Sequence, residues 1–185
     1  MEQEIIELQK TLSKPFSEDT LSWRVQQSGW NNKELWTLLV PYLDARQVQQ
    51  RFDESVGTNR WEVSYSPIDN GFIATIKVSF IQDGNIYWVS KSDGAEETNI
   101  EATKGGISDS FKRAGVMWGI GRYLYNTGKH RGKHVNNNHK GKTIKAQLKG
   151  PDNKKSYFTI AVPKLNPSTT ASQDNHEKKP ELEIF

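Results

Sequence analysis

Two periods of apolar residues organise this chain. From Thr98 to Tyr125 the spacing is helical, and Ile100, Ile107, Phe111, Ala114 and Trp118 fall on one narrow face. Thr98 or Asn99 can cap the start, and Glu101 lies in the first turn, where a carboxylate suits the positive end of the helix dipole. Gly119 and Gly121 suit its end. The pattern predicts a helix from Asn99 to Trp118. Lys112 and Arg113 sit in its middle, off the apolar stripe. By themselves they fit the solvated side of an ordinary amphipathic helix as well as they fit a binding site.

Upstream the period drops to two. Arg60 to Ser66 alternates, with Trp61, Val63 and Tyr65 on one face and Arg60, Glu62 and Ser64 on the other. Phe72 to Ile81 is β-branched and aromatic, and Ile86 to Lys91 is a third run of that kind. Pro67 to Gly71 and Asp83-Gly84-Asn85 supply the turns. These runs predict an antiparallel meander, which needs a cover for one face. The helix behind it carries a matching stripe. Ahead of it, Ala45 to Val56 predicts a helix with Val48 and Phe52 inward, Asp44 as cap and Gly57 as stop. The expected fold is α+β: an antiparallel three- to four-stranded meander packed on a long helix, in the order helix-strand-strand-strand-helix.

The ends are less regular. Glu2 to Leu12 predicts a short helix with Ile5, Leu8 and Leu12 on one side, ended by Lys14-Pro15-Phe16. Ser17 to Trp30 reads as a short helix or an extended segment, in which Trp23 is a core or subunit-interface anchor, or a platform for a base. Asn31 to Pro41 is an apolar patch. Lys129 to Lys149 contains Lys129, Arg131, Lys133, Lys140, Lys142, Lys145 and Lys149 and no carboxylate. It is expected as a basic loop, 127–150, that meets phosphates. His130, His134 and His139 offer a metal site as the alternative, but their glycine- and asparagine-rich setting fixes no geometry. Ser156 to Val162 predicts one more strand of the same sheet. The expected division is a core domain, 1–162, and a disordered tail, 163–185. The tail's end, Glu181 to Phe185, is either inert or a short linear motif.

Composition narrows the classes. Hydrophobic residues make up only 34% of the 185, and the mean hydropathy is −0.77, because polar residues concentrate in the last third. Cysteine is absent, which excludes a disulfide framework and thiolate chemistry. No apolar run approaches the roughly 18 residues of a membrane span, and the acidic, amphipathic start does not resemble a signal peptide. A cytoplasmic protein is expected. The net charge of +3 permits nucleic acid without demanding it.

Several segments together resemble a family: VGTNRW (Val56 to Trp61), the meander, IEATKGGISDSFKRA (Ile100 to Ala114) and WGIGRYLY (Trp118 to Tyr125). WRVQ (Trp23 to Gln26), PYLDAR (Pro41 to Arg46) and KSDGAEET (Lys91 to Thr98) also fit. The sequence resembles the Rad52/Rad22 superfamily of single-strand annealing proteins, most closely its short bacteriophage and prophage versions, over Phe16 to Asn126. The resemblance implies subunits side by side in a ring or filament, with a basic groove for single-stranded DNA. The family's lysine-arginine pair matches Lys112 and Arg113, and a groove lysine earlier in the same helix matches Lys104. An arginine on the preceding helix matches Arg46 with its register off by one residue, and Arg51 is its rival. The implied function is ATP-independent annealing of complementary strands in homologous recombination and repair, in the cytoplasm of a bacterial host cell. The implied partners are single-stranded DNA, the annealed duplex intermediate, copies of the same chain and, through the tail, a single-strand-binding or replication protein.

Annealing needs no nucleophile, only strands held with bases exposed and phosphates neutralised. An enzyme is the competing class: Asp93, Glu96, Glu97 and Glu101 could bind Mg²⁺ for nuclease chemistry. They lie on a loop and first helical turn without a second carboxylate motif, so solvation and helix capping account for them more simply. No GxxxxGK[ST] loop is present, and no cofactor or metal is expected. A third class is a non-catalytic adaptor working through its tail.

Overall fold

The computed structural model describes residues 2–97, 102–136 and 138–165. The capping candidates Thr98 and Asn99, the first-turn Glu101, Ile100 of the stripe and the tail from Asn166 onward lie outside these residues. The elements run α1 (Glu2–Ser13), β1 (Ser22–Asn31), β2 (Glu34–Tyr42), α2 (Ala45–Val56), β3 (Trp61–Ile68), β4 (Gly71–Gln82), β5 (Asn85–Glu96), α3 (Ala102–Met117), a 3-10 turn (Arg122–Asn126), β6 (His130–His134), β7 (Thr143–Lys149) and β8 (Lys155–Ala161). They form two units, Met1–Phe16 with Leu43–Arg122, and Ser17–Tyr42 with Tyr123–Phe185.

The first unit is the expected meander and its helices. The sheet order is β3-β4-β5, antiparallel throughout. Asp83 and Gly84, both at positive φ, make the β4–β5 turn, the backbone that a tight hairpin requires. α3 packs on β4 and β5 and buries Phe111 and Ala114, Trp118 just past its end is buried as well, and Ile107 is half-buried. Phe52 of α2 stacks on Trp61 at 5.2 Å between ring centroids and meets Trp118 edge-on at 6.3 Å. Gly115 lets α2 and α3 approach closely, since a Cβ there would stand 2.7 Å from Val48 Cγ1. At the start of α2 the Asp44 amide donates to Gln47 Oε1 at 2.6 Å, half of a capping box. At its end Gly57 takes φ +87° and donates to the Asp53 carbonyl.

The second unit departs from expectation. It is a five-stranded sheet in the order β1-β2-β6-β8-β7, so the chain has two sheets rather than one meander with an added strand. Where a short helix or extended segment and an apolar patch were expected, β1 and β2 pair as an antiparallel hairpin from Ser22 to Tyr42. Its turn residues Asn32 and Lys33 both take positive φ without a glycine, which is why no turn signal showed. The expected basic loop 127–150 contains β6 and β7. Their cations alternate with Gly132, Ile144, Ala146 and Leu148, which face the other way; strands whose outer sides hold only cations and neutral polar residues read as a charge run. β8 pairs with β6 and β7, not with the meander, because it completes this second sheet. Leu39, His130, Gly132 and Ile160 are buried on its inner side. A Cβ on Gly132 would stand 2.5 Å from Ile160 Cγ2 and 2.7 Å from Thr37 Oγ1, so the core closes over a bare backbone. Lys142 Nζ donates to the carbonyls of Glu18, Asp19 and Leu21 at 3.2, 3.2 and 2.8 Å, fixing the turn that leads into β1.

Candidate nucleic-acid interface

α3 sets two cations side by side on a rigid element. Phe111 and Ala114 anchor the helix in the core, while Lys112 is half-buried and Arg113 exposed. Neither is idle. Lys112 Nζ lies 2.6 Å from Asp109 Oδ1, one turn back. Arg113 reaches to β5, where its Nε and Nη2 donate to Asp93 Oδ1 at 3.2 and 3.1 Å. The same oxygen accepts the Gly94 amide at 2.7 Å, which orients it. Such pairs at a wet surface are weak and screened by salt, so a phosphate can replace either carboxylate at small cost.

The other expected cations differ among themselves. Lys104 is exposed near the start of α3, but helical geometry sets it about 180° around the axis from Arg113. Arg46 is exposed on the first turn of α2. Arg51 is 8% exposed. Its Nη1 donates to the carbonyls of Thr11, Leu12 and Lys14 at 3.0, 3.2 and 2.6 Å, and its guanidinium lies 4.0 Å from the Phe16 ring centroid. The carbonyls at the end of a helix lack intrahelical partners, and Arg51 supplies donors to the end of α1.

Two further cations were not singled out from the sequence. Lys91 on β5 donates to the Met117 carbonyl at 3.0 Å and lies 4.7 Å from the Trp118 ring centroid. Burial, and then the neighbouring Arg122 charge, hold its pKa below the ordinary lysine value. Arg122 donates to the Val116 and Met117 carbonyls, so it caps α3 as Arg51 caps α1. Only cross-chain geometry reveals either role. Among the described residues no group of three or more His, Cys, Asp or Glu is placed to hold a metal ion, and Asp93 is engaged by Arg113. No helix of the described residues is long and apolar enough to cross a membrane.

Comparison with known proteins places these elements in context. Residues 4–143 match the model of the Rad52/22 family of double-strand break repair proteins. The chain is 33% identical over 121 residues to the single-stranded DNA-binding protein DdrA of Deinococcus radiodurans, covering 64% of this chain and 55% of that protein. To the single-stranded DNA-binding protein DdrA of Deinococcus deserti it is 30% identical, covering 64% of this chain and 57% of that one. The matched stretch thus spans little more than half the length of these relatives.

Proposed function

The chain belongs to the Rad52/22 family of double-strand break repair proteins, and on that premise we propose that it binds single-stranded DNA and anneals complementary strands without ATP, in homologous recombination and repair. One observation carries the assignment: α3 buries Phe111 and Ala114 and turns the intervening Lys112 and Arg113 outward. Cations held on a core-packed helix meet phosphates without ordering a loop first. Contacts to the backbone leave binding tolerant of sequence, as annealing of arbitrary homologies requires. The names of the two relatives agree with the substrate. Arg46 is the supporting cation in this reading, and Lys104, on the far side of α3 from Arg113, is a candidate only for a strand that wraps around the start of the helix. Arg51 is assigned to the end of α1, since its head is already committed there. The sequence segments further favour a short phage- or prophage-borne version acting in the cytoplasm of a bacterial cell. A single-strand-binding or replication protein is the partner proposed for the tail.

One or two phosphate contacts per subunit are weak, so tight binding requires many copies in register. The β4–β5 hairpin supports a homo-oligomer. β5 is an edge strand, and Ile86 and Tyr87 near its start are 64% and 52% exposed, followed by exposed Trp88 and Val89. An apolar edge of this kind is a template for pairing with another chain, and a second copy is its proposed occupant. Trp88→Lys should then lower the mass seen by sedimentation velocity.

The test of the site is the Lys112→Ala/Arg113→Ala variant. Anisotropy of labelled oligothymidylate should show binding lost at moderate salt, and annealing of complementary oligonucleotides should fail with it, while the sedimentation profile is unchanged. Normal binding by that variant overturns the site. Cleavage of DNA in Mg²⁺ that disappears on changing Glu96 or Glu97 favours a nuclease instead.

A further inference from the structure

The outer face of the five-stranded sheet is a second cationic surface, and the pairing register sorts its residues, because cross-strand partners share a face. Trp36 on β2 pairs with Lys133 on β6, and Leu38 with Arg131. Lys133 pairs in turn with Ala161 on β8. On β7 and β8, Lys145 pairs with Thr159, Gln147 with Tyr157 and Lys149 with Lys155. That parity puts Trp36, Arg131, Lys133, Lys145, Lys149 and Tyr157 on one side. The opposite side holds buried Leu39, His130, Gly132 and Ile160. All four of these cations are exposed, and β6, β7 and β8 carry no carboxylate.

Two large aromatics stand among them, Trp36 at 43% and Tyr157 at 74% exposure. A merely solvated strand face has no use for either. Trp36 is also held in place: its indole lies against the β1 backbone, where a Cβ on Gly29 would come within 2.6 Å of its ring. From Trp36 to Tyr157 the sheet geometry gives about 10 Å across the strands and about 13 Å along them. Lys133 stands beside the first, and Lys145 in the row between. Flat apolar rings set among phosphate-binding cations are the combination that holds single strands by stacking; Glu34 on β2 shares this side with Trp36, but none of the strands that carry the cations adds a carboxylate. β7 and β8 lie at and beyond residue 143, where the family match ends.

We infer that the outer face of this sheet is a stacking platform for single-stranded nucleic acid, separate from the cations of α3. The choice of substrate class rests on the proposed function; the location rests on the sheet alone.

The experiment is a salt series of oligothymidylate binding by the full chain, with three variants beside the unmodified protein. Trp36→Ala/Tyr157→Ala should weaken binding by about tenfold or more, the loss expected for stacked bases. Lys133→Glu/Lys145→Glu should flatten the plot of log affinity against log salt by about 1.4 or more, the share of two phosphate contacts on a single strand. Lys112→Ala/Arg113→Ala reports on α3 separately. Normal binding by both sheet variants overturns the inference, whatever the α3 variant does. Loss in the sheet variants with normal binding by the α3 variant upholds it and sinks the α3 assignment. A charge effect without an aromatic effect, with equal affinity for duplex, marks a general polyanion surface and also overturns it. Should Trp36→Ala unfold, Tyr157→Ala alone and photocrosslinking of iodouracil-substituted DNA to the unmodified protein carry the test. An adduct at Tyr157 supports the platform, and its absence there refutes it.

Discussion

Arg113 on α3 and Asp93 on β5 hold each other across the helix–sheet boundary, with Nη2 3.1 Å and Nε 3.2 Å from one carboxylate oxygen. A DNA phosphate must compete with that carboxylate. Asp93→Asn keeps an acceptor for the Gly94 amide and removes the charge. It should raise single-strand affinity at low salt, up to about fivefold, and change stability by less than about 1 kcal/mol, since the pair is half-exposed. Anisotropy and a thermal melt read both. A lowered affinity would mean that Asp93 aims Arg113 rather than restrains it.

Arg51 and Arg46 lie on one helix and should separate cleanly. Arg51→Ala leaves the carbonyls at the end of α1 without their shared donor, and should cost about 3 kcal/mol of stability. Arg46→Ala should leave the melt unchanged and weaken oligothymidylate binding. Denaturant unfolding together with anisotropy distinguishes them. The reverse pattern would put Arg51 on the DNA.

Lys33 sits at φ +69° in the β1–β2 turn, a conformation that disfavours any residue with a Cβ. Lys33→Gly should stabilise the protein by about 1 kcal/mol, seen as a higher denaturation midpoint with the same slope. A destabilised variant would show that the lysine side chain makes up for the strain.

His130 is buried against Trp23, edge-on at 5.1 Å, and shares a 2.9 Å hydrogen bond with Thr127 Oγ1. Burial holds its pKa below the ordinary 6.5. The folded chain therefore binds the proton less readily than the unfolded one. Stability is full above 6.5, declines as the pH falls below it, and levels off once the pH is under the folded value. Melts from pH 7.5 to 5 should show this decline, and His130→Gln should flatten it. An equal decline in the variant would assign the pH dependence to other groups.

The periodic parts of this protein were legible because their reasons are local. Alternation at Trp61, Val63 and Tyr65 and helical spacing at Phe111, Ala114 and Trp118 state which side is apolar, and Asp83-Gly84 states where the chain turns. The hairpin β1–β2 was not legible, because Asn32 and Lys33 turn the chain without glycine or proline. Nor were β6 and β7, because strands with only cations and neutral polar residues on their outward positions look like a solvated loop until their inward residues have something to pack on.

By itself, the sequence determined the meander, the three helices and the placing of Lys112 and Arg113 off the apolar stripe, since each follows from the order of residues along one element. Tertiary structure decided what the cations do. It committed Arg51 to the carbonyls of α1 and paired Arg113 with Asp93. It also gathered Lys133, Lys145, Trp36 and Tyr157 from four strands onto one face. Those outcomes depend on which distant backbone a side chain reaches, and sequence spacing carries no record of that distance.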